Sequence, residues 1–510
     1  MRIKANKFED FPQQLLKSPF ILAACLCILA CAVGIGIGTF GSNSQVALIG
    51  ISIGIIAVFG VILIFIYDFP LIFLTKILFI ASFFIKADVT ILRINELEDP
   101  SGLNISLTFF CAVVLFVNDH YDRENNKRSR IFPLVFSITL TALTICAAIS
   151  AFYGIGGQLG WFNFLSYLST VFVCFVIASH FGSRENLKEL VLGVGLGISF
   201  TGLTAISQFL VDFPKLAVFG TGTEDELLWT QAELFSRVSA FLRTPTEMGW
   251  VISALIPLII APIVGYAKSF STSQRVIFAF SAVLGIAAII LSLARGSWIA
   301  LVAGTLIIVL SAWKNWESTE RKHYFAAIGG LLLLCVMALA PFGNRIYERL
   351  TTDDGSSAAV RIPLMKVAWN IIEENPLVGV GLSGYRTAMY RYDDTKEHVT
   401  QIFPGAVHNS FAHITAEIGI PGGIFFGILL LIAVFECWQT MISRDKLLFA
   451  LALGAFAGIV AYTISAIKEP STLGSARPPI RTCFFLLGFI MALRNCRRNS
   501  ISNFKFQISN

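Results

Sequence analysis

Long apolar stretches, separated by short polar ones, recur along almost the whole chain. A helix that crosses a bilayer needs about 20 apolar residues at a rise of ~1.5 Å each. Fourteen stretches reach or approach this length: 20–40, 45–67, 69–85, 103–117, 131–153, 161–181, 190–213, 248–267, 276–293, 296–313, 325–342, 417–438, 447–467 and 480–494. They predict an all-α fold, a polytopic membrane bundle of about 12–14 transmembrane helices.

The composition is that of a membrane protein. Hydrophobic residues make up 55% of the chain and charged residues 14%, whereas a soluble domain carries about 25% charged residues. The sequence lacks the alternating segments of ~10 residues that the strands of a transmembrane barrel require. Nine of the ten cysteines lie in apolar stretches, so we expect no disulfide framework.

The distribution of basic residues predicts the orientation. With a cytoplasmic N-terminus, 21 of the 38 lysines and arginines fall on the cytoplasmic side, almost all in short segments, and the positive-inside rule then places both termini in the cytoplasm. Two long loops lie outside, at about 214–247 and 343–416. We expect three parts: N-terminal transmembrane helices (1–213), a core with both long loops (214–438), and C-terminal transmembrane helices with a basic tail (439–510).

Arginines mark two of the predicted outer segments. Arg237 and Arg243 come just before Pro245 at the end of the first long loop, and Arg295 lies in a tight connection between two apolar stretches. A guanidinium group is planar, stays charged and can bind phosphate through two hydrogen bonds. The alternative is an anchor at the membrane interface, where arginine stems lie along apolar surface. Arg243 fits both interpretations equally well, and Arg237 fits a binding site better.

The second long loop is predicted to contain an amphipathic helix over 357–374. Ile362, Met365, Trp369 and Ile372 share one face at helical spacing, which suits a helix lying on the membrane surface. Asn375 and the proline after it are expected to end the helix. The glycine-rich segment 378–384 is interpreted as a tight turn, because no strand–turn–helix unit of the dinucleotide-binding kind surrounds it.

Two histidines follow shortly before an apolar stretch. With Ser410 as its N-cap, a helix would carry His413 and Glu417 on one face, and His408 and Asn409 would lie at its mouth. Free backbone N–H groups at such a mouth favour an anion, and a histidine can act as a general base at neutral pH. We favour a functional role for His408, a structural one for His413, and a supporting one for Glu417. Gly419, Pro421, Gly422 and Gly423 are expected to kink the helix.

Taken in order, four of these pieces resemble motifs of the O-antigen ligase and polymerase family of bacterial envelope glycosyltransferases. They are segment 237–245, which is similar to an Arg-x-x-Gly-x-Phe-x-x-Pro pattern; Arg295 with Gly296; segment 361–381; and His408 and Asn409 with Glu417 and Gly419. Ala240 stands where the family often has glycine. The resemblance covers about 230–425, and the set is more specific than any one of its motifs.

The resemblance implies a metal-independent glycosyltransferase without a cofactor. Such an enzyme lies in the bacterial inner (cytoplasmic) membrane, among membrane lipids, with its active site facing the periplasm. It would transfer a glycan from undecaprenyl pyrophosphate to a sugar hydroxyl of the lipid A core, and it would bind no nucleic acid. We predict that His408, Arg237 and Arg295 are catalytic and that the other substrate contacts are Arg243, Arg361, Arg386, Asn409 and Glu417.

Three alternatives remain at this point. A polymerase would transfer the same kind of glycan to another lipid-linked glycan, and the sequence does not separate it from a ligase. A transporter of a solute or bicarbonate would place polar residues near the bilayer midplane, often in repeated halves; here the polar residues gather in outer loops and no repeat is visible. A non-catalytic scaffold of polysaccharide assembly is the third.

Overall fold

A computed structural model describes most of the chain. The described residues are 71–85, 88–91, 103–123, 132–210, 238–266, 269–313, 329, 343, 347, 360–443, 445–475 and 477–509. Arg237, the predicted stretches 20–40 and 45–67, and all of 325–342 except residue 329 lie outside them. The chain divides into one unit of Met1–Phe79 with Leu216–Gly222 and a second of Ile80–Lys215 with Thr223–Asn510. The three-part division made from the sequence stays a prediction.

The described elements are helical apart from one hairpin. In chain order they are α1 (Leu71–Ala81), β1 (Asp88–Ile91), β2 (Leu103–Ser106), α2 (Leu107–Arg123), α3 (Leu134–Tyr153), α4 (Gly157–His180), α5 (Arg184–Leu210), α6 (Pro245–Leu255), α7 (Pro257–Tyr266), α8 (Thr272–Leu291), α9 (Arg295–Trp313), α10 (Arg361–Glu374), α11 (Tyr385–Ala388), α12 (Val399–Ile402), α13 (Ser410–Met441), α14 (Lys446–Lys468), a 3-10 turn (Leu473–Ser475) and α15 (Pro478–Ser509).

The predicted fold class is confirmed. Within the described residues, eight helices are long and apolar enough to cross a membrane, with α6 and α7 counted as one, and three further apolar helices are shorter. The chain is therefore an all-α, multi-pass membrane protein. One boundary was wrong: the stretch predicted to span from 103 begins as strand β2, which pairs antiparallel with β1, and the helix starts only at Leu107.

Helix starts follow local capping chemistry. Thr244 accepts a hydrogen bond from Glu247 N ahead of α6, with Pro245 in the first turn. Asp445 caps α14 through bonds from two backbone N–H groups. Asn409, not Ser410, caps α13: its Oδ1 accepts from Ala412 N at 3.0 Å. The prediction was one residue late because asparagine and serine are equally good caps and adjoin here.

One end of the bundle collects the connections that carry the predicted polar motifs. We call it the loop end: residues 153–157, 238–244, 291–295, 360–409 and 469–477. Contacts join these connections, for example Ile155 N to Val380 O at 2.9 Å and Ser410 Oγ to Glu469 O at 2.7 Å. The opposite end holds the pairs of His180 with Asp119 and of Arg184 with Asp445.

Helix α13 breaks at Gly419, as the glycine and proline cluster predicted. Gly419 has φ 76° and ψ 170°, and Pro421 has no N–H to return to Glu417 O. The released groups pair with residues 376–381 instead: Ile420 N donates to Pro376 O at 2.7 Å, and Gly381 N donates to Glu417 O at 2.9 Å. The kink therefore ties α13 to the second long loop.

The glycines of segment 378–384 are required by close backbone approach. Gly379 has φ +71°, and a Cβ there would lie 2.4 Å from Glu417 O. Gly381 has φ +102°, and its Cβ would lie 2.5 Å from Gly154 Cα. Only glycine fits both backbone conformations and both gaps. The segment threads between α13 and the end of α3, which is a tighter passage than the turn expected from the sequence.

Helix α10 has the predicted C-terminal boundary, and its predicted apolar face is divided between the loop core and the exterior. Leu364, Val367 and Ile371 are buried in the core of the second long loop. Ile362 and Trp369, two members of the predicted apolar face, are 80% and 58% exposed. Ile372 is buried in the same core and Met365 packs against it, whereas the exposed Ile362 and Trp369 suit the predicted position on a membrane surface.

Candidate active site at the loop end

Of the long apolar helices that begin at the loop end, four have a candidate side chain at or just before their first residue. Arg243 lies just before α6, Arg295 is the first residue of α9, His408 precedes α13, and Arg477 precedes α15. Neighbouring members of the set pack together: α6 against α9, α6 against α15, and α13 against α15. A helix N-terminus carries unpaired N–H groups and a partial positive charge. The loop end therefore favours an anion.

Arg243 is the centre of a cluster of like charges. The pKa of its guanidinium is lowered to about 10: burial is the largest cause, the positive charges of Arg477 and Arg386 contribute, and Glu247 opposes the shift. The guanidinium still carries its charge at neutral pH, because a pKa of about 10 lies well above 7. Three cations thus converge from the first long loop, the second long loop and the connection before α15, with one carboxylate among them.

Arg295 opens α9 after a sharp turn in which Leu293 has φ +52°. Its neighbours show how closely the helices approach. A Cβ on Gly249 in α6 would lie 2.6 Å from Ser297 Oγ in α9, and a Cβ on Gly296 would lie 3.4 Å from Lys468 Cδ at the end of α14. The start of α9 is therefore wedged between α6 and α14, and Arg295 lies beside the chain that leads to Glu469.

His408 meets a carboxylate that the sequence analysis missed. Its Nδ1 lies 3.8 Å from Glu469 Oε2, and the two side chains are 34% and 23% exposed. Glu469 is held in turn, because its carbonyl accepts from Ser410 Oγ. The distance is longer than a hydrogen bond, and Nδ1 has no hydrogen-bond partner among the described residues, so Glu469 is a neighbouring carboxylate toward which the ring can turn. The adjacent Asn409 uses its carbonyl oxygen to cap α13.

Glu417 and His413 lie behind this surface, in the protein interior. Glu417 is 2% exposed; its Oε1 lies 3.5 Å from His413 Nε2, and it accepts a hydrogen bond from Thr472. The Tyr385 ring packs edge-on against His413 with centroids 4.8 Å apart. Burial raises the pKa of Tyr385, and the charge of Glu417 raises it further. These contacts hold α11, α13 and the connection after α14 together.

The remaining predicted site residues differ in placement. Arg386 is exposed on α11, donates to Pro404 O at 3.4 Å and belongs to the cluster around Arg243. Arg361 begins α10, and the contacts of the described residues do not join it to the other candidates. The structure thus brings Arg243, Arg386 and Arg477 together, and separately joins His408 to Glu469.

The connection at 469–477 is the part that sequence reasoning overlooked. It supplies Glu469, Thr472 and Arg477, and its 3-10 turn lies against Asn163 of α4. A signal was present: Lys468, Glu469 and Arg477 are three charged residues in a short segment between two apolar stretches on the predicted outer side. The segment was missed because it is short and contains no histidine.

Part of the chain is similar to a known protein family. No curated protein matches the chain. A family model described as O-antigen ligase matches residues 280–427, a stretch that contains Arg295, Arg361, Arg386, His408 and Glu417; Arg243 and the connection at 469–477 lie outside it. The chain carries an O-antigen ligase domain over these residues, which confirms the family that the sequence motifs indicated.

Proposed function

We propose that this protein is a membrane glycosyltransferase of O-antigen ligase type, which transfers a glycan from undecaprenyl pyrophosphate to a sugar hydroxyl. The single observation that carries the proposal is the cluster of Arg243, Arg386 and Arg477 beside helix N-termini. Three guanidinium groups and the Glu247 carboxylate leave a local surplus of two positive charges. A diphosphate esterified at both ends carries two negative charges and matches that surplus.

The proposed reaction needs two functions, and the site offers a group for each. His408, with Glu469 beside it, accepts the proton of the acceptor hydroxyl as its oxygen bonds to the donor sugar carbon. The bond from that carbon to the diphosphate breaks, and the arginine cluster stabilises the charge on the leaving group. Arg295 borders the same surface and is proposed to share this second role, as is Arg237. Charge stabilisation by guanidinium groups would make the transfer metal-independent.

The supporting residues have narrower proposed roles. Arg361 and Asn409 remain proposed glycan or phosphate contacts, and Glu417 is proposed to act through the loop framework. The core of the enzyme is residues 214–438, and the connection at 469–477 completes it. Basic residues at the opposite end, such as Arg184 and Arg497, support an orientation with both termini cytoplasmic in a bacterial inner membrane and the loop end in the periplasm.

A transfer assay with purified protein tests the proposal. The donor is a glycan on undecaprenyl pyrophosphate, and lipid A core and a second lipid-linked glycan are offered as acceptors. We expect His408→Ala and Arg243→Ala to lower the transfer rate by at least about 100-fold. The matched controls are His398→Asn and Arg391→Gln, exposed residues of the same loop, which should keep the rate of the parent. Full activity in the His408 and Arg243 variants would refute the assignment.

The same assay separates ligase from polymerase, because each uses one of the two acceptors. A gene deletion provides an independent test: loss of a ligase leaves full-length glycan on the carrier lipid, whereas loss of a polymerase leaves single repeat units. A transporter is disfavoured because the candidate residues gather at one end of the bundle. Uptake of solute by reconstituted protein, without any transfer of glycan, would reverse that judgement.

A further inference from the structure

Left-handed backbone conformations recur next to the candidate arginines. Among the described residues, the non-glycine positions with positive φ are Ala240 (49°), Leu293 (52°), Ser383 (61°) and His398 (47°). Three of these four precede an arginine of the candidate site by two or three residues: Ala240 before Arg243, Leu293 before Arg295, and Ser383 before Arg386. Such a conformation costs an L-residue free energy and persists where its surroundings hold it.

Ala240 is held by a carboxamide from a different element. Gln208, in the last turn of α5, donates from Nε2 to Ala240 O at 3.1 Å and accepts from Ala240 N at Oε1 at 2.9 Å. Both backbone groups of one residue are therefore bonded to one side chain, as in a pair of β-strands. The Phe200 ring, two turns earlier on α5, stacks on Phe241 with centroids 5.1 Å apart and planes 4° apart.

The segment from Ala240 to Arg243 is thus fixed on both sides. Before Arg243, Gln208 holds Ala240, and Leu242 N bonds to Ser239 O at 3.0 Å. After it, Thr244 caps α6. Little backbone freedom is left at Arg243, so its side chain leaves the chain in one direction.

Ser383, on the second long loop, is held through its side chain rather than its backbone. Asn163, fully buried in α4, donates from Nδ2 to Ser383 Oγ. Its Oδ1 is buried without a hydrogen-bond partner. Ser383 precedes α11, which carries Arg386 on its second residue. As at Ala240, the side-chain carboxamide comes from a membrane-spanning helix, and the left-handed residue that it contacts shortly precedes an arginine.

We propose that Gln208 and Asn163 are positioning residues, which set the directions of Arg243 and Arg386 by holding the left-handed residues that precede them. The inference rests on the proposed function, because it assumes that both arginines bind the donor diphosphate. Preorganised donors bind an anion more tightly because less ordering is left for the moment of binding. Loss of a clamp should therefore weaken diphosphate binding without removing any charge.

The test measures binding of undecaprenyl pyrophosphate to the purified full-length chain in detergent, together with its thermal unfolding midpoint. We expect Gln208→Ala to weaken binding about 10-fold, because the released segment must then be ordered at the moment of binding. Gln208→Glu should weaken it by a similar factor, because a carboxylate oxygen would face Ala240 O. Thr204→Val, one turn earlier on the same helix, is the control and should bind like the parent.

A rescue variant distinguishes positioning from general stability. Ala240→Gly should bind like the parent, and in the Gln208→Ala background it should recover about half of the lost binding free energy, because glycine adopts positive φ without strain. If Gln208→Ala binds the diphosphate with unchanged affinity, whether or not its unfolding midpoint falls, the inference is overturned and the proposed function stays intact. Failure of the parent protein to bind the diphosphate would overturn both.

Discussion

Replacing Gly379 by alanine tests the backbone passage on which the loop end is built. The new Cβ would lie 2.4 Å from both the carbonyl carbon and the carbonyl oxygen of Glu417. These are main-chain atoms of a buried helix, so a change of side-chain rotamer cannot relieve the clash. The residue also has φ +71°, which an alanine adopts only at a cost of about 1 kcal/mol.

The size of the stability loss follows from the contacts that the clash would break. Relief of the clash separates the segment from α13 and breaks or weakens the bonds of Val380 N to Ala416 O and Gly381 N to Glu417 O, both 2.9 Å. Each is worth about 1 kcal/mol. With the backbone strain added, we expect a loss of about 3 kcal/mol of stability, which corresponds to a fall of roughly 3 °C in the unfolding midpoint of a protein of this size.

Thermal unfolding of the purified variant in detergent measures this loss, and glycan transfer reports on the site, because Arg386 lies shortly after the passage. Gly405→Ala is the matched control: it lies in the same loop, and a Cβ there would meet nothing within 4 Å. An unfolding midpoint for Gly379→Ala that equals that of the control would refute the close approach of the loop to α13.

Two further predictions concern charges. The carboxylate of Glu436 lies 3.2 Å from both Arg494 and Arg497. We expect Glu436→Gln to destabilise the protein by about 3 kcal/mol, because two largely buried cations lose their partner. The control Lys366→Gln, which breaks an exposed ion pair, should change stability by less than about 1 kcal/mol. Because the pKa of Arg243 is lowered to about 10, the apparent KM for the donor should stay level from pH 7 to about 9 and rise as the guanidinium loses its proton above pH 10. A steep rise between pH 7 and 8 would contradict the role of Arg243 as a cation at neutral pH.

Much of the fold could be predicted because the bilayer imposes it. Long apolar stretches have one stable outcome in lipid, a helix with its backbone hydrogen bonds satisfied internally, and the described spans follow the predicted ones. The kink at Gly419 was predictable for a similar reason, since Pro421 removes a hydrogen bond wherever the helix lies. Strand β2 was missed because four residues at the edge of an apolar stretch have no distinctive period.

The site was less predictable because its contacts join distant segments. His408 and Glu469 are separated by two membrane-spanning helices, and no local pattern shows that the ends of α13 and α14 are neighbours. The burial of Leu364, Val367 and Ile371 was missed because α10 has two apolar stripes, and only the packing shows which residues face the loop core. Ala240 was noted as a departure from the family's glycine; its positive φ explains why glycine suits that position.

The late position of the connection at 469–477 bears on how the protein is made. A nascent chain that has been synthesised as far as Lys468 already contains His408, Arg243 and Arg295, and most of its helices can enter the bilayer. It still lacks Glu469 and Arg477, which are translated only with the connection before α15. We therefore expect fragments released before this connection has been translated to transfer no lipid-linked glycan.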